Sequence, residues 1–139
     1  MRKIKITMIV LMAAGMLAVN CKKKQADQTT STPAVQLTGT PAQQMTQVMG
    51  MGLSAIKSAA TPADAAAALQ KILSDYNVAA LRQAAKDAKA AGQGATAEEI
   101  AQYKALADEY KKLSVELGGK DPAAFAGAAE AWAKAWGIN

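Results

Sequence analysis

Helix-start signals divide this chain more clearly than any other feature. Three of them pair a capping side chain with a proline: Thr40-Pro41, Thr61-Pro62 and Asp121-Pro122. Proline fits the first helical position because its missing N–H would be unpaired there, and the preceding oxygen can accept from a free amide. Thr96, followed three residues later by Glu99, is typical of a capping box. The last hundred residues are therefore expected to contain four helices.

Apolar residues recur at spacings of three and four within each of these segments, which is the pattern of amphipathic helices. The predicted helices lie near 41–59, 62–91, 97–117 and 122–136. In the second segment the apolar stripe changes face where Asp75 and Asn77 occur, so we expect a kink or a short interruption near 75–77. Alternating β-branched runs, which would indicate strands, are nearly absent.

Glycines mark the expected helix ends. Gly92 and Gly94 should end the second helix, Gly118-Gly119 the third, and Gly137 the last. The short connections favour antiparallel neighbours. The sequence therefore predicts an all-α fold, a small antiparallel helical bundle of about four helices that follows a disordered N-terminal tether.

The N-terminus has the composition of a secretory signal peptide. A basic tip precedes an apolar run, and the chain's single cysteine, Cys21, ends it. The segment 17–21, Leu-Ala-Val-Asn-Cys, resembles the lipobox of bacterial lipoproteins, and Asn20 before the cysteine is similar to the looser spirochaetal version. The resemblance implies cleavage before Cys21, acylation of that residue with palmitate or a related chain, and stable attachment to a membrane.

Two alternatives to the lipoprotein interpretation stay open: a plain signal peptide with an incidental cysteine, and an uncleaved anchor. The apolar run of about 14 residues is shorter than the ~20 that span a bilayer. We interpret 1–20 as signal peptide, 21–39 as a lipidated flexible tether and 40–139 as the bundle. Lys22 differs from the aspartate that retains many enterobacterial lipoproteins at the inner membrane. We therefore expect a lipid-anchored envelope protein, and favour the outer membrane.

The charge and the residue types exclude several functions. The net charge of +5 comes from the N-terminal segments, because residues 25–139 carry 10 basic and 11 acidic side chains, a net of −1. A nucleic-acid partner is therefore not expected. The chain has no histidine, and acylation would occupy Cys21, which removes the common nucleophilic and zinc-binding arrangements. We expect no enzymatic activity, no metal and no cofactor.

Two groups of side chains are candidates for contact with a partner or ligand. Met45, Met49 and Met51 form an adaptable apolar group next to two glycines, and methionine is common at promiscuous binding surfaces. Trp132 and Trp136 share a helix face and would form an exposed apolar patch if that helix did not dock. The alternative for both groups is ordinary packing in the core.

Three functions follow from these observations. The first is a lipid-anchored, non-enzymatic module that binds a protein partner, and it predicts an exposed patch around Met51 or Trp136. The alternative is a carrier or binding module for a small apolar ligand or lipid. It predicts an internal cavity lined by four side chains: Met45, Met49, Leu53 and Tyr103. The third is a structural coat lipoprotein, which predicts neither.

Overall fold

The computed structural model describes residues 34–138, and this part of the chain is all-helical, with five helices and no strand. The helices are α1 (Pro41–Ser58), α2 (Pro62–Asp75), α3 (Val78–Ala90), α4 (Ala97–Lys120) and α5 (Pro122–Trp136). The predicted signal peptide, the predicted lipidation site at Cys21 and most of the predicted tether lie outside the described residues.

The second predicted helix is two helices, so the expected number of about four was too low. The backbone of Tyr76 is extended, with φ −126° and ψ 125°, and this ends α2. The Asn77 side chain then accepts a hydrogen bond from the Ala80 N–H at 3.0 Å and begins α3. An asparagine favours the N-cap because its oxygen replaces a missing backbone acceptor. The predicted interruption near 75–77 is confirmed.

The predicted end of the following helix was wrong, because α4 continues through Gly118 and Gly119 to Lys120. Asp121 ends it instead, with an extended φ of −150°, and its carboxylate accepts from the Ala124 N–H at 3.0 Å to begin α5. Pro122 disfavours a helical conformation at the residue before it. The Asp121-Pro122 pair therefore ends α4 and begins α5.

The remaining helix ends follow the predicted capping chemistry. Thr40 forms a capping box with Gln43, and Thr96 forms the predicted one with Glu99. Gly92 has a φ of +77° directly after α3, and Gly137 has a φ of +64° after α5. These left-handed conformations suit glycine, which has no Cβ to clash with the preceding turn.

The core is built mainly from side chains of α1 and α5, and each of these helices packs against α2, α3 and α4. Together these two helices provide eight of the buried apolar residues: Val48, Met49, Leu53, Ile56, Phe125, Ala128, Trp132 and Trp136. By contrast, α3 and α4 each bury a single residue, Val78 and Tyr110. The result is a helical bundle in which α3 and α4 contribute little to the fully buried core. Across 34–138 no helix is both long enough and apolar enough to span a membrane.

The residues just before α1 lie against the bundle. The Leu37 side chain packs on the core, and the Tyr76 hydroxyl donates to the Val35 carbonyl oxygen at 2.8 Å. The Gln47 amide donates to the Thr38 carbonyl at 2.8 Å and accepts from the Thr38 N–H at 3.3 Å. The last residues of the predicted tether therefore contact both α1 and the junction between α2 and α3.

Candidate ligand groove

A groove of about 370 Å³ opens on the surface where α1, α3 and α4 meet. Its apolar lining comes from all three helices and the loop before α4: Ala42, Met45, Ala85, Ala88, Ala95, Ile100 and Tyr103. Ligand sites in proteins commonly enclose about 300–1,000 Å³ and are lined mainly by apolar side chains. In size and lining the groove therefore resembles a site for one small molecule.

Alanines on α3 leave the groove unfilled. Ala85 and Ala88 face α1 and α4 with side chains too short to reach across. Ile100, in the first turn of α4, is 57% exposed as a result, although isoleucine is usually buried. The groove is thus an apolar surface that no side chain of the described bundle covers.

Three basic side chains line the α3 edge of the groove: Arg82, Lys86 and Lys89. Their spacing of four and three residues places them on one helix face. Among the described residues, none of the three takes part in an ion pair. The α3 edge therefore carries a row of positive charge beside the apolar lining of the groove.

Arg82 is fixed against the end of α5. Its Nη1 donates to the Ala135 carbonyl oxygen at 3.0 Å, and a Cβ at position 137 would overlap the guanidinium. Burial raises the pKa of Tyr103 above its ordinary value of 10.0, and the nearby charge of Arg82 acts in the opposite direction. Arg82 thus connects α3 to the end of α5 and lies near Tyr103 in the groove lining.

Glu99 is the acidic residue of the groove lining. The Thr96 N–H donates to its Oε2 at 2.8 Å, and this hydrogen bond lowers the pKa of the carboxyl group. The carboxylate is therefore ionised at neutral pH and is already engaged in capping α4. The three positive charges on the α3 edge exceed this single negative charge.

A chain of aromatic rings leads from the groove into the core. The ring centroids of Tyr103 and Trp136 lie 5.8 Å apart, those of Trp136 and Trp132 5.7 Å, and those of Trp132 and Tyr110 5.5 Å. Such distances are typical of favourable aromatic pairs. A ligand that touched Tyr103 would therefore lie next to the indole ring of Trp136.

Four buried polar atoms around these rings have no hydrogen-bond partner: Tyr110 Oη, Ser114 Oγ, Trp132 Nε1 and Trp136 Nε1. Burial raises the pKa of the Tyr110 phenol, and the nearby Ser114 hydroxyl partly opposes the shift. Tyr110 and Ser114 nevertheless do not form a hydrogen bond of ordinary geometry. The aromatic cluster is therefore held by packing and stacking rather than by polar contacts.

The predicted contact residues occupy different environments. Met45 lines the groove, whereas Met51 is half-buried outside it. Met49, Trp132 and Trp136 are buried in the core, which favours the packing interpretation that the sequence left open. Their role in contacting a partner stays a prediction, and a partner could reach these three only by opening the bundle.

The cavity expected for an apolar ligand is an open groove and not an internal space. Of the four side chains predicted to line it, Met45 and Tyr103 do so, whereas Met49 and Leu53 are buried in the core. Sequence analysis missed the basic edge of α3 and the exposed Ile100. The spacing of Arg82, Lys86 and Lys89 around two alanines was the signal that could have found it.

Within residues 34–138, the acidic side chains do not gather into a group of three or more that could hold a metal ion. Comparison with protein-family models, with curated proteins and with solved structures gives no match.

Proposed function

We propose that this protein is a lipid-anchored, non-enzymatic binding module of the bacterial envelope that holds a small apolar ligand in the groove between α1, α3 and α4. The observation that carries the proposal is the apolar lining of the groove, in which Ile100 is exposed and Met45 and Tyr103 are half-buried. An isoleucine that is 57% exposed and lines a groove favours contact with an apolar molecule.

Binding of a neutral apolar dye, N-phenyl-1-naphthylamine, tests this proposal. The full chain carrying Cys21→Ser removes the proposed lipid attachment, and dye fluorescence gives the Kd. We expect saturable binding that Ile100→Ser weakens about tenfold or more, because burying an isoleucine side chain against a ligand is worth about 1.5–3 kcal/mol. Absence of saturable binding would contradict the proposed function.

Val115→Ser is the matched control for this experiment. Val115 lies on the same helix and is 70% exposed, but it does not line the groove. Its replacement also turns an exposed β-branched apolar residue into serine, so it reproduces the chemical change at a different place. An equal loss of dye binding in both variants would show that the dye does not use the groove.

The proposed location in the cell envelope rests on residues 1–21, which resemble the signal peptide and acylated cysteine of lipoproteins. Metabolic labelling with an alkyne analogue of palmitate tests it. We expect the wild-type protein to carry the label and Cys21→Ala to carry none. An unlabelled wild-type protein would contradict lipid attachment without bearing on the groove, because the two proposals use different residues.

A protein-binding module is the second candidate, and the exposed surface of α4 favours it. Val115 is 70% exposed there, and Met51 is half-buried on α1. We rank this function below ligand binding because the two tryptophans, the strongest candidate contacts, are buried. Protease digestion of intact and lysed cells tests whether the protein lies on the outer surface of the cell or in the periplasm. Digestion on intact cells would favour a partner outside the cell, and protection until lysis would favour a periplasmic ligand.

A further inference from the structure

We infer that the groove selects a single-chain amphiphile with an anionic head group. The apolar chain of this ligand lies against Ile100, and its head group pairs with Lys86 and Lys89. This inference rests on the proposed function, because it names the chemical class of the ligand for the same groove. It adds a requirement for negative charge that the apolar lining alone does not impose.

The first step is the placement of the two lysines. Residues three apart on a helix have Cβ atoms about 5–6 Å from one another, so Lys86 and Lys89 can flank one head group. Both residues line the groove and are exposed, so their ammonium groups are free to move onto a ligand. Neither is in an ion pair within the described part of the chain.

The second step concerns the other charges of the groove. Arg82 donates to the Ala135 carbonyl, which engages its guanidinium with the end of α5. Glu99 accepts from the Thr96 N–H, which engages its carboxylate with the start of α4. The lining therefore carries three positive charges and one negative charge, and the two lysines are the charged residues without such a hydrogen bond, so the groove favours an anion.

The third step separates a free amphiphile from a membrane surface. The lysine stem at position 89 packs against the loop before α4, since a Cβ on Gly94 would lie 3.3 Å from the Lys89 Cγ. The lysines and the apolar side chains thus line one groove of about 370 Å³. A concave site of this size suits one small molecule, whereas a bilayer would contact a protruding apolar surface.

Two dyes that share one apolar scaffold test the inference. 1-Anilinonaphthalene-8-sulfonate carries a sulfonate on the scaffold of the neutral N-phenyl-1-naphthylamine. With the full chain carrying Cys21→Ser, we expect the anionic dye to bind about 5–10-fold more tightly, as two exposed charge pairs would give. Salt at 0.5 M should reduce this preference, because it screens exposed charges.

The double variant Lys86→Gln/Lys89→Gln should abolish the preference, measured as the ratio of the Kd values of the two dyes within each variant. Lys111→Gln/Lys112→Gln is the matched control, because it removes the same charge from exposed positions of α4 outside the groove. Circular dichroism checks that each variant keeps its helices. A preference that survives in the groove variant, or that falls equally in the control, would overturn the inference.

Failure of the inference differs from failure of the proposed function. If the two dyes bind equally well, the anionic head group is wrong and the apolar groove stands. If neither dye binds, both proposals are wrong. Monomeric dodecanoate should displace the anionic dye, and dodecanol should do so less well. Binding to phosphatidylglycerol vesicles without displacement by dodecanoate would overturn the inference in favour of a membrane surface.

Discussion

Gly52 of α1 lies directly against the indole ring of Trp132 of α5, so closely that a Cβ atom at position 52 would overlap the ring carbons Cζ2 and Cη2. Both residues are buried. A glycine inside a helix costs up to about 1 kcal/mol relative to alanine, which is why the sequence alone suggests a weakness at this point. In the bundle it is the position that makes room for the Trp132 indole in the core.

We expect Gly52→Ala to lower the free energy of unfolding by about 1–3 kcal/mol, because the added methyl group must displace a ring that has no free space. Gly50→Ala is the matched control on the same helix. A Cβ there would lie 3.9 Å from Leu106 Cδ1, an ordinary contact, so the change should be neutral or stabilising by up to about 1 kcal/mol. Urea denaturation measures both, and equal effects would contradict the close approach.

Replacement of Trp136 tests the docking of α5. We expect Trp136→Ala to lower the free energy of unfolding by about 3–5 kcal/mol, because the ring is 4% exposed and packs on Tyr103 and Trp132. Trp136→Phe should lose less than half as much, since it keeps an aromatic ring and the indole N–H has no partner to lose. A loss below about 1 kcal/mol for Trp136→Ala would mean that α5 does not dock.

Alkaline pH should destabilise the bundle through its buried phenols. Burial raises the folded-state pKa of Tyr110 and Tyr103 above the ordinary value of 10.0. The unfolded chain therefore loses these protons first, and the associated stability is full below about pH 10 and falls as the pH rises through the folded pKa. Thermal denaturation from pH 8 to pH 11.5 measures the fall.

Tyr110→Phe should make this alkaline fall shallower. At pH 7 it should change the free energy of unfolding by less than about 1 kcal/mol, because the hydroxyl has no hydrogen-bond partner. Tyr76→Phe is the control, because it also removes one phenol but leaves both buried ones in place. A pH profile of Tyr110→Phe that matches the wild type would contradict the role assigned to burial.

Replacement of Gly119 tests where α4 ends. We expect Gly119→Ala to raise the free energy of unfolding by about 0.5–1 kcal/mol, because the residue is helical and a Cβ would meet nothing within 4 Å. Gly92→Ala, where φ is +77°, should instead lower it by about 1 kcal/mol. If Gly119→Ala also destabilises the protein, α4 ends at its glycines, as the sequence suggested.

The sequence predicted those parts of the fold that local chemistry decides. The caps at Thr40, Thr96 and Asp121 each require only a side-chain oxygen and a free amide a few residues away, so their positions could be read directly. Gly119 was misread because glycine both ends helices and occurs inside them. The neighbouring Asp-Pro pair was the stronger stop signal, since proline acts on the residue before it.

The groove could not be predicted in the same way, because it depends on contacts between distant segments. Ile100 continues the apolar stripe of its helix, and its pattern alone indicates a buried residue. It is exposed in the bundle, where it lines a groove whose α3 side includes the short side chains of Ala85 and Ala88. Likewise, Met45 and Met49 look equivalent in sequence, yet one lines the surface and the other is fully buried.

The hydrogen bond from Tyr76 to the Val35 carbonyl determines how the bundle would bear tension. A pull applied at residue 34 does not begin by unwinding the first turn of α1. It acts on the Tyr76 hydroxyl, the packed Leu37 side chain and the two hydrogen bonds between Gln47 and Thr38. Because Tyr76 lies at the junction of α2 and α3 and Gln47 lies on α1, these contacts connect the segment to three helices.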